Sequence, residues 1–384
     1  MTSPELAEEV LDDLSLLRAR DPRGLLPAVA GAGAQMRETA ALTGETDLRR
    51  VTAGGRPRGL VIVGRREGAV AAEVLRSLLG PASPVTVDVV PGPALPVWMG
   101  ASDIAVIATR TGAGQYAVAP AYEAARRGVA VVGIGAVDAP LHAACANARA
   151  PYVPLPANRV RHATLWSLLT PMLLLAAELG LLPTDAADVA PVADALDAVA
   201  AECGPARESF VNPAKTLALE LLDALPVIVA EGPLAGAAAG RVADQLATLA
   251  GLPASTFRLP DQRVAARTVL AGPLAPEGGQ DDFFRDRAED AGRRLRLLTL
   301  RDAGAGATEG AHEREPRSAG EAMAEVLRIA AEHNVPVSRL ADEDDSERHP
   351  RLARLARLAR QLAVADFSAV YLALALDHER ALGS

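Results

Sequence analysis

Residues 104–115 read Ile104-Ala105-Val106-Ile107-Ala108-Thr109-Arg110-Thr111-Gly112-Ala113-Gly114-Gln115. A short apolar run of strand type gives way to hydroxyls and glycines, and the helical pattern of residues 117–127 follows. Strand, loop and helix in that order form half of a parallel βα repeat. The neighbouring sequence extends the repeat, with strands expected at 60–63, 85–90 and 129–134 and a helix at 69–79. Uninterrupted apolar strands of this kind are buried on both faces, so the fold expected is α/β, doubly wound, with parallel sheets flanked by helices. After residue 206 the pattern restarts: a helix at 213–222, a strand at 226–230, the turn Glu231-Gly232-Pro233, a helix at 234–249, and strands at 255–259 and 295–300. Helices at 319–332 and 351–374 close the chain, and 303–316 reads as a polar surface loop.

The domain division expected is a helical arm over 1–50, a first domain over 51–182, a linker over 183–206 and a second domain over 207–384. The linker assignment rests on Pro183, Asp185, Asp188, Pro191 and Gly204-Pro205, which disfavour a continuous element and leave room for a short helix. Composition agrees with two ordinary domains in 384 residues. Half of the residues are hydrophobic but only 3% are aromatic, so the cores must be built from Ala, Val and Leu.

The charge balance excludes several classes. Thirty-nine basic residues against 48 acidic ones leave a net charge of −9, which supplies no attraction for nucleic acid. Cys145 and Cys203 are the only cysteines and have no zinc or redox spacing. The acidic run Glu5, Glu8, Glu9, Asp12 and Asp13 is unlike a secretory signal, and the apolar run 165–182 carries Ser167, Thr170, Pro171, Glu178 and Gly180, which are costly in a bilayer. A cytoplasmic protein with no membrane partner, no metal and no cofactor is expected. Lys215 is the only lysine, so arginine supplies every other basic side chain. Arg351, Arg354, Arg357 and Arg360 read as a solvated basic face, with the acidic stretch 342–347 before it. The acidic residues between 281 and 290 lack the spacing of a calcium loop.

Two loops are the candidate binding elements. Thr109, Thr111 and Gly112 lie between a parallel strand and a helix N-terminus, where backbone N–H groups and the helix dipole favour an anion such as phosphate. An ordinary capped βα turn has a similar composition. In the second loop, Gly64 lets the chain turn sharply after a strand, and Arg65 and Arg66 are placed to face an anion. That loop is not a GxGxxG fingerprint, so nucleotide binding, with Asp88 toward a ribose, is a weaker alternative.

This arrangement resembles the tandem sugar isomerase (SIS) domains of the bifunctional phosphoglucose/phosphomannose isomerases. Thr109-Arg110-Thr111-Gly112-Ala113-Gly114 is similar to their Ser-x-Ser-Gly-Asn-Thr phosphate loop, with two hydroxyls kept and the Asn and third hydroxyl replaced. Arg161, within Pro156-Ala157-Asn158-Arg159-Val160-Arg161-His162-Ala163, matches the family's sugar-facing arginine, and Arg159 is the second choice. Asn212-Pro213-Ala214-Lys215 and the segment 362–374 resemble the opening and the last helix of the family's C-terminal domain.

The resemblance implies a homodimeric aldose–ketose isomerase that binds a hexose phosphate: glucose, mannose or fructose 6-phosphate. The chemistry needs a base to carry a proton between C1 and C2, a ring-opening acid and a cation for the enediolate. Of the family's Arg, Glu, His and Lys, only the Arg is matched, as Arg161. Thr248 stands at the Glu position; Asp244, one turn earlier, and Glu67 are the substitute bases to consider. His162 lies beside Arg161, where a structural histidine is the simpler account. A non-catalytic sugar-phosphate sensor or regulator is therefore carried as the alternative to an isomerase.

Overall fold

The structure is a computed structural model and describes residues 4–156, 159–276, 294–302, 318–340 and 352–377. The chain splits into two compact units. The N-terminal unit comprises Pro27–Asp197 with Glu347–Ala356, and the C-terminal unit comprises Met1–Leu26, Ala198–Ser346 and Arg357–Ser384. The expected segments 281–290, 303–316 and 342–347, and Arg351, lie outside the described residues.

The N-terminal unit holds a five-stranded sheet: β1 (Gly59–Gly64), β2 (Thr86–Val90), β3 (Asp103–Ala108), β4 (Ala130–Ala136) and β5 (Tyr152–Leu155), in the order β2-β1-β3-β4-β5. Every pairing is parallel. β1 and β3 are buried along their whole length, as their unbroken Val, Ile and Ala runs require. β5 escaped the sequence reading because Pro154 interrupts it; at the edge of the sheet the missing N–H costs no ladder bond. The helices in this unit are α3 (Leu25–Ala30), α4 (Ala32–Gly44), α5 (Arg49–Thr52), α6 (Glu67–Leu79), α7 (Gln115–Arg127), α8 (Pro140–Asn147) and α9 (Leu165–Glu178). One core beside the sheet is formed by Val61, Val63, Ala105, Ile107, Val131, Leu141 and Cys145, aliphatic as the composition demands.

Within the stretch 183–206, α10 (Ala186–Glu202) runs for 17 residues, longer than the short helix expected there, and the boundary between the two units falls inside it. The aspartates that suggested a breaker start the helix instead. Asp185 Oδ1 accepts from the N–H groups of Ala187 (2.8 Å) and Asp188 (3.2 Å), and the Asp188 carboxylate accepts from Asp185 N–H at 3.0 Å.

The C-terminal unit repeats the architecture with four parallel strands among the described residues: β6 (Ala224–Glu231), β7 (Ser255–Leu259), β8 (Arg294–Arg301) and β9 (Val337–Arg339), ordered β7-β6-β8-β9. Around them are α1 (Pro4–Asp12), α2 (Leu14–Arg20), α11 (Pro213–Leu221), α12 (Pro233–Ala250), α13 (Arg263–Leu270), α14 (Ser318–Glu332) and α15 (Ala353–Ala375). α15 is long and apolar enough to cross a membrane, but it is buried inside the protein. Its arginines are not simply solvated: Arg357 donates to the Asp302 carbonyl at 3.1 Å and Arg360 reaches Glu202 at 3.5 Å.

The single lysine has a structural role. Lys215 is 1% exposed, and its Nζ donates to Asp12 Oδ1 at 3.1 Å and to the Pro205 carbonyl at 3.0 Å. The same Asp12 oxygen accepts from Ser209 N–H and Oγ. Asn212 caps α11 by accepting from Ala214 and Lys215 N–H, and the Tyr371 hydroxyl donates to the Cys203 carbonyl at 2.6 Å. Burial pushes the Cys203 thiol up to about 12, so this cysteine is an inert core group.

Lys215→Met leaves Asp12 and the Pro205 carbonyl without their cation, and is expected to lower unfolding stability by about 3 kcal/mol in urea titrations. Asp103, at the start of β3, gives a pH signature. Burial raises its pKa, but the bidentate Arg58 guanidinium (3.0 and 2.6 Å) and Gly100 N–H outweigh that and hold it below the ordinary aspartate value of 3.8. A depressed folded pKa gives stability that is complete above 3.8 and lost as pH falls through the lower folded value. Asp103→Asn should therefore lower Tm at neutral pH, with the gap to the native protein closing as the pH drops below 3.8.

Candidate functional site

Strand order reverses at β1: the chain moves to β2 on one side and returns to β3 on the other. The loops that leave β1 and β3 consequently diverge and open a crevice at the carboxyl ends of these two strands, the place where ligands bind in doubly wound sheets. Both candidate loops from the sequence meet there, since Gly64 is the register partner of Ala108.

The β1 loop is tight. A Cβ on Gly64 would lie 2.8 Å from the Gly68 carbonyl carbon, and one on Gly68 would lie 2.7 Å from the Ala108 carbonyl oxygen. Arg66 takes a left-handed φ of 52° immediately before α6. Arg65 is exposed, and its guanidinium lies 4.0 Å from the centroid of the Tyr116 ring, in the first turn of α7, so the two loops are bridged by a cation–π contact.

The β3 loop is fixed from behind and open in front. Thr109 N–H donates to the Ile134 carbonyl at 3.0 Å, and Leu141 N–H donates to the Gly112 carbonyl at 2.9 Å. Gly112 is buried at φ 59°; a Cβ there would stand 2.5 Å from Ala139 Cβ and 3.1 Å from the Tyr152 hydroxyl. Tyr152 donates to the Ala136 carbonyl at 2.6 Å and stacks on His142 at 4.4 Å. By contrast Thr111 and residues 113–116 are exposed, and Thr111 Oγ1 accepts only a long 3.4 Å bond from Ala113 N–H among the described contacts. A hydroxyl and the N-terminus of the 13-residue α7 thus face outward on a rigid support.

A third segment borders the crevice. Arg110 Nη1 donates to the Arg159 carbonyl at 3.1 Å, and Arg159 pairs with Glu38. The Glu67 carboxylate accepts from Thr164 N–H at 3.0 Å and from Thr164 Oγ1, at the N-cap of α9. Residues 159–164 are thereby tied to both loops. Arg161 on this segment is exposed, whereas His162 is buried in a left-handed turn at φ 75°. Glu67, one of the substitute bases considered from sequence, is committed to positioning α9.

The structure therefore brings Gly64, Arg65, Thr109, Thr111, Gly112 and the Arg161 segment together in one unit. Asp244 belongs to the other unit. It is exposed on α12, with its carbonyl accepting from Thr248 Oγ1 at 2.5 Å. The buried face of that helix is occupied by structural polar groups, Arg241 and Gln245, which hold Asp366 at 2.7 and 3.2 Å. Sequence reasoning missed Tyr116, Tyr152 and His142. The signal was available: in a chain with four tyrosines, two stand beside the glycine loop.

Comparison with known proteins gives a partial match. Residues 210–379 match the family model described as the bacterial phospho-glucose isomerase C-terminal SIS domain. The chain shares its fold, two parallel sheets flanked by helices, with solved structures over most of its length. It is similar in structure to tagatose-6-phosphate ketose/aldose isomerase from Escherichia coli, with a TM-score of 0.61, 13% identity, and coverage of 91% of this chain and 92% of that one. It is also similar to the C-terminal domain of glucosamine-fructose-6-phosphate aminotransferase from Francisella tularensis, with a TM-score of 0.57, 12% identity, and coverage of 92% and 96%. No curated protein matches the sequence significantly.

Because Gly112 is held at positive φ with no room for a Cβ, Gly112→Ala is expected to cost about 1–3 kcal/mol of stability. Urea unfolding checks this; a variant as stable as the native protein would show that the loop is not rigidly supported.

Proposed function

We propose that this protein binds a hexose 6-phosphate in the crevice between β1 and β3, with the phosphate at Thr109, Thr111 and Gly112 and the N-terminus of α7. Arg65, beside Gly64, supplies positive charge, and Arg161 faces the sugar oxygens. The observation that carries the reading is the open β3 loop, a rigidly backed hydroxyl-and-glycine turn at the strand-order reversal, bordered by arginines. The SIS fold, whose neighbours include proteins named for tagatose 6-phosphate and fructose 6-phosphate, supports a phosphorylated sugar as the ligand class.

Turnover is a separate matter. The carboxylates bordering the crevice, Glu67 and Glu38, are engaged with Thr164 and Arg159, and the family's Glu, His and Lys have no counterparts. Loss of a general base alone removes roughly 100- to 10,000-fold in rate. We therefore read the protein as a cytoplasmic, homodimeric sugar-phosphate sensor or regulatory member of the isomerase fold. The alternative is a glucose-6-phosphate/mannose-6-phosphate type isomerase with Asp244 as a relocated base.

Isothermal titration with glucose, mannose and fructose 6-phosphate is the test, run beside a coupled isomerase assay. Binding should occur without turnover, and Thr111→Ala and Arg161→Ala should each weaken it by about 10-fold or more, the effect of losing a hydrogen bond to a charged group. Absence of binding would refute the site. Turnover that disappears in Asp244→Asn would establish the isomerase instead.

A further inference from the structure

The two units share a strand-order reversal but finish it differently. In the N-terminal unit, Ala108 is the last register partner on β3, facing Gly64, and Thr109 follows it. In the C-terminal unit, Arg301 is the last register partner on β8, facing Glu231, and the next residue is Asp302. Asp302 therefore occupies the position equivalent to Thr109, at the mouth of the second crevice. Its side chain turns onto the helix that starts after β6. Oδ2 accepts from Leu234 N–H at 2.9 Å, and Oδ1 accepts from Ala235 N–H, both in the first turn of α12. Gly232 lies directly under the carboxylate, since a Cβ there would come within 2.5 Å of Oδ2.

Asp302 is also held in place. It is 6% exposed, its N–H donates to the Glu231 carbonyl at 3.1 Å, and Arg357 donates to its own carbonyl at 3.1 Å. The preceding residue is clamped on both sides by Gln361, which accepts from Arg301 N–H at 2.9 Å and donates to its carbonyl at 2.8 Å. The Arg301 guanidinium pairs with Glu231 at 2.7 Å. Groups from β6, β8 and α15 thus converge to hold one buried carboxylate on two backbone N–H groups.

We infer that the chain's own Asp302 carboxylate is the permanent anion of the C-terminal unit, an internal ligand that closes this second crevice to phosphate. A free anion would have to displace a carboxylate already seated on the N–H groups it needs, with negative charge meeting negative charge. The consequence is a division of roles: one reversal point open with hydroxyls, the other sealed by a carboxylate. This inference does not depend on which ligand the first crevice takes.

Thermal unfolding of the full chain tests it, using Asp302→Ala and the isosteric Asp302→Asn in chloride and in phosphate buffers of equal ionic strength. In chloride both variants should unfold several degrees below the native protein, the Asn variant less so because it keeps one acceptor oxygen. Tens of millimolar phosphate should raise the Tm of Asp302→Ala markedly more than that of the native chain. If Asp302→Ala does not fold, the same comparison is read on Asp302→Asn. The inference is overturned if the variants unfold with the native protein in chloride, or if phosphate raises native and variant Tm equally. It is likewise overturned if the lost stability is not recovered by phosphate, since Asp302 would then act only as a helix cap.

Discussion

Parallel pairing between buried strands, β1 with β3 along their whole length and β6 with β8 through their centres, is the constraint on which the rest of the molecule depends. A parallel pair sends both carboxyl ends to the same edge of the sheet, and each strand must then feed a helix that returns along a face. Helix N-termini with unpaired backbone N–H groups accumulate at that edge as a result. Where the strand order reverses, two such helices lean apart and the edge becomes a crevice of partial positive charge. Such a crevice needs an anion or a capping group, and each unit meets that need with different side chains.

In the N-terminal unit the capping is incomplete by design of the loop. Tyr152, His142 and Ala139 support Gly112 from below, and the Glu67 carboxylate and Arg110 draw the 159–164 segment alongside. The front of the loop is left to Thr109, Thr111 and the surrounding arginines. In the C-terminal unit the carboxylate of Asp302 takes the equivalent position and is fixed by Arg357 and Gln361. The same backbone geometry thus leaves one loop exposed, at Thr111 and residues 113–116, and has the other covered by a carboxylate of the chain. Neither unit relies on cysteine chemistry, since burial pushes the Cys145 and Cys203 thiols up to about 11 and about 12.

Much of this was legible in the sequence because buried parallel strands announce themselves as uninterrupted Val, Ile and Leu runs. The central strands β1, β3, β4 and β6 are legible in that way, β8 is legible despite Arg296 and Thr299 within its apolar run, and the edge strands β2 and β7 are legible too. The opposite edges are not: β5 contains Pro154, and β9 is a three-residue strand, Val337–Arg339, too short to carry a pattern. α10 was obscured because Asp and Pro serve both as breakers and as helix starters, and only the contacts of Asp185 and Asp188 distinguish the two. The candidate loop positions Thr109, Thr111, Gly112 and Gly64 follow from the order of strand, loop and helix in the sequence. Glu67 does not, because a carboxylate's partner in the distant Thr164 is a tertiary fact. Asp302 was hidden for the same reason: nothing local to it marks α12 as its target.

The proposal that the open reversal point between β1 and β3 holds a phosphorylated sugar is tested most directly by a crystal structure of the protein grown with glucose 6-phosphate. Phosphate density is expected within hydrogen-bonding distance of the Thr109 and Thr111 hydroxyls, and none at the Asp302 carboxylate. Phosphate density on the first turn of α12 with the Asp302 side chain displaced, or density at neither place, would contradict it.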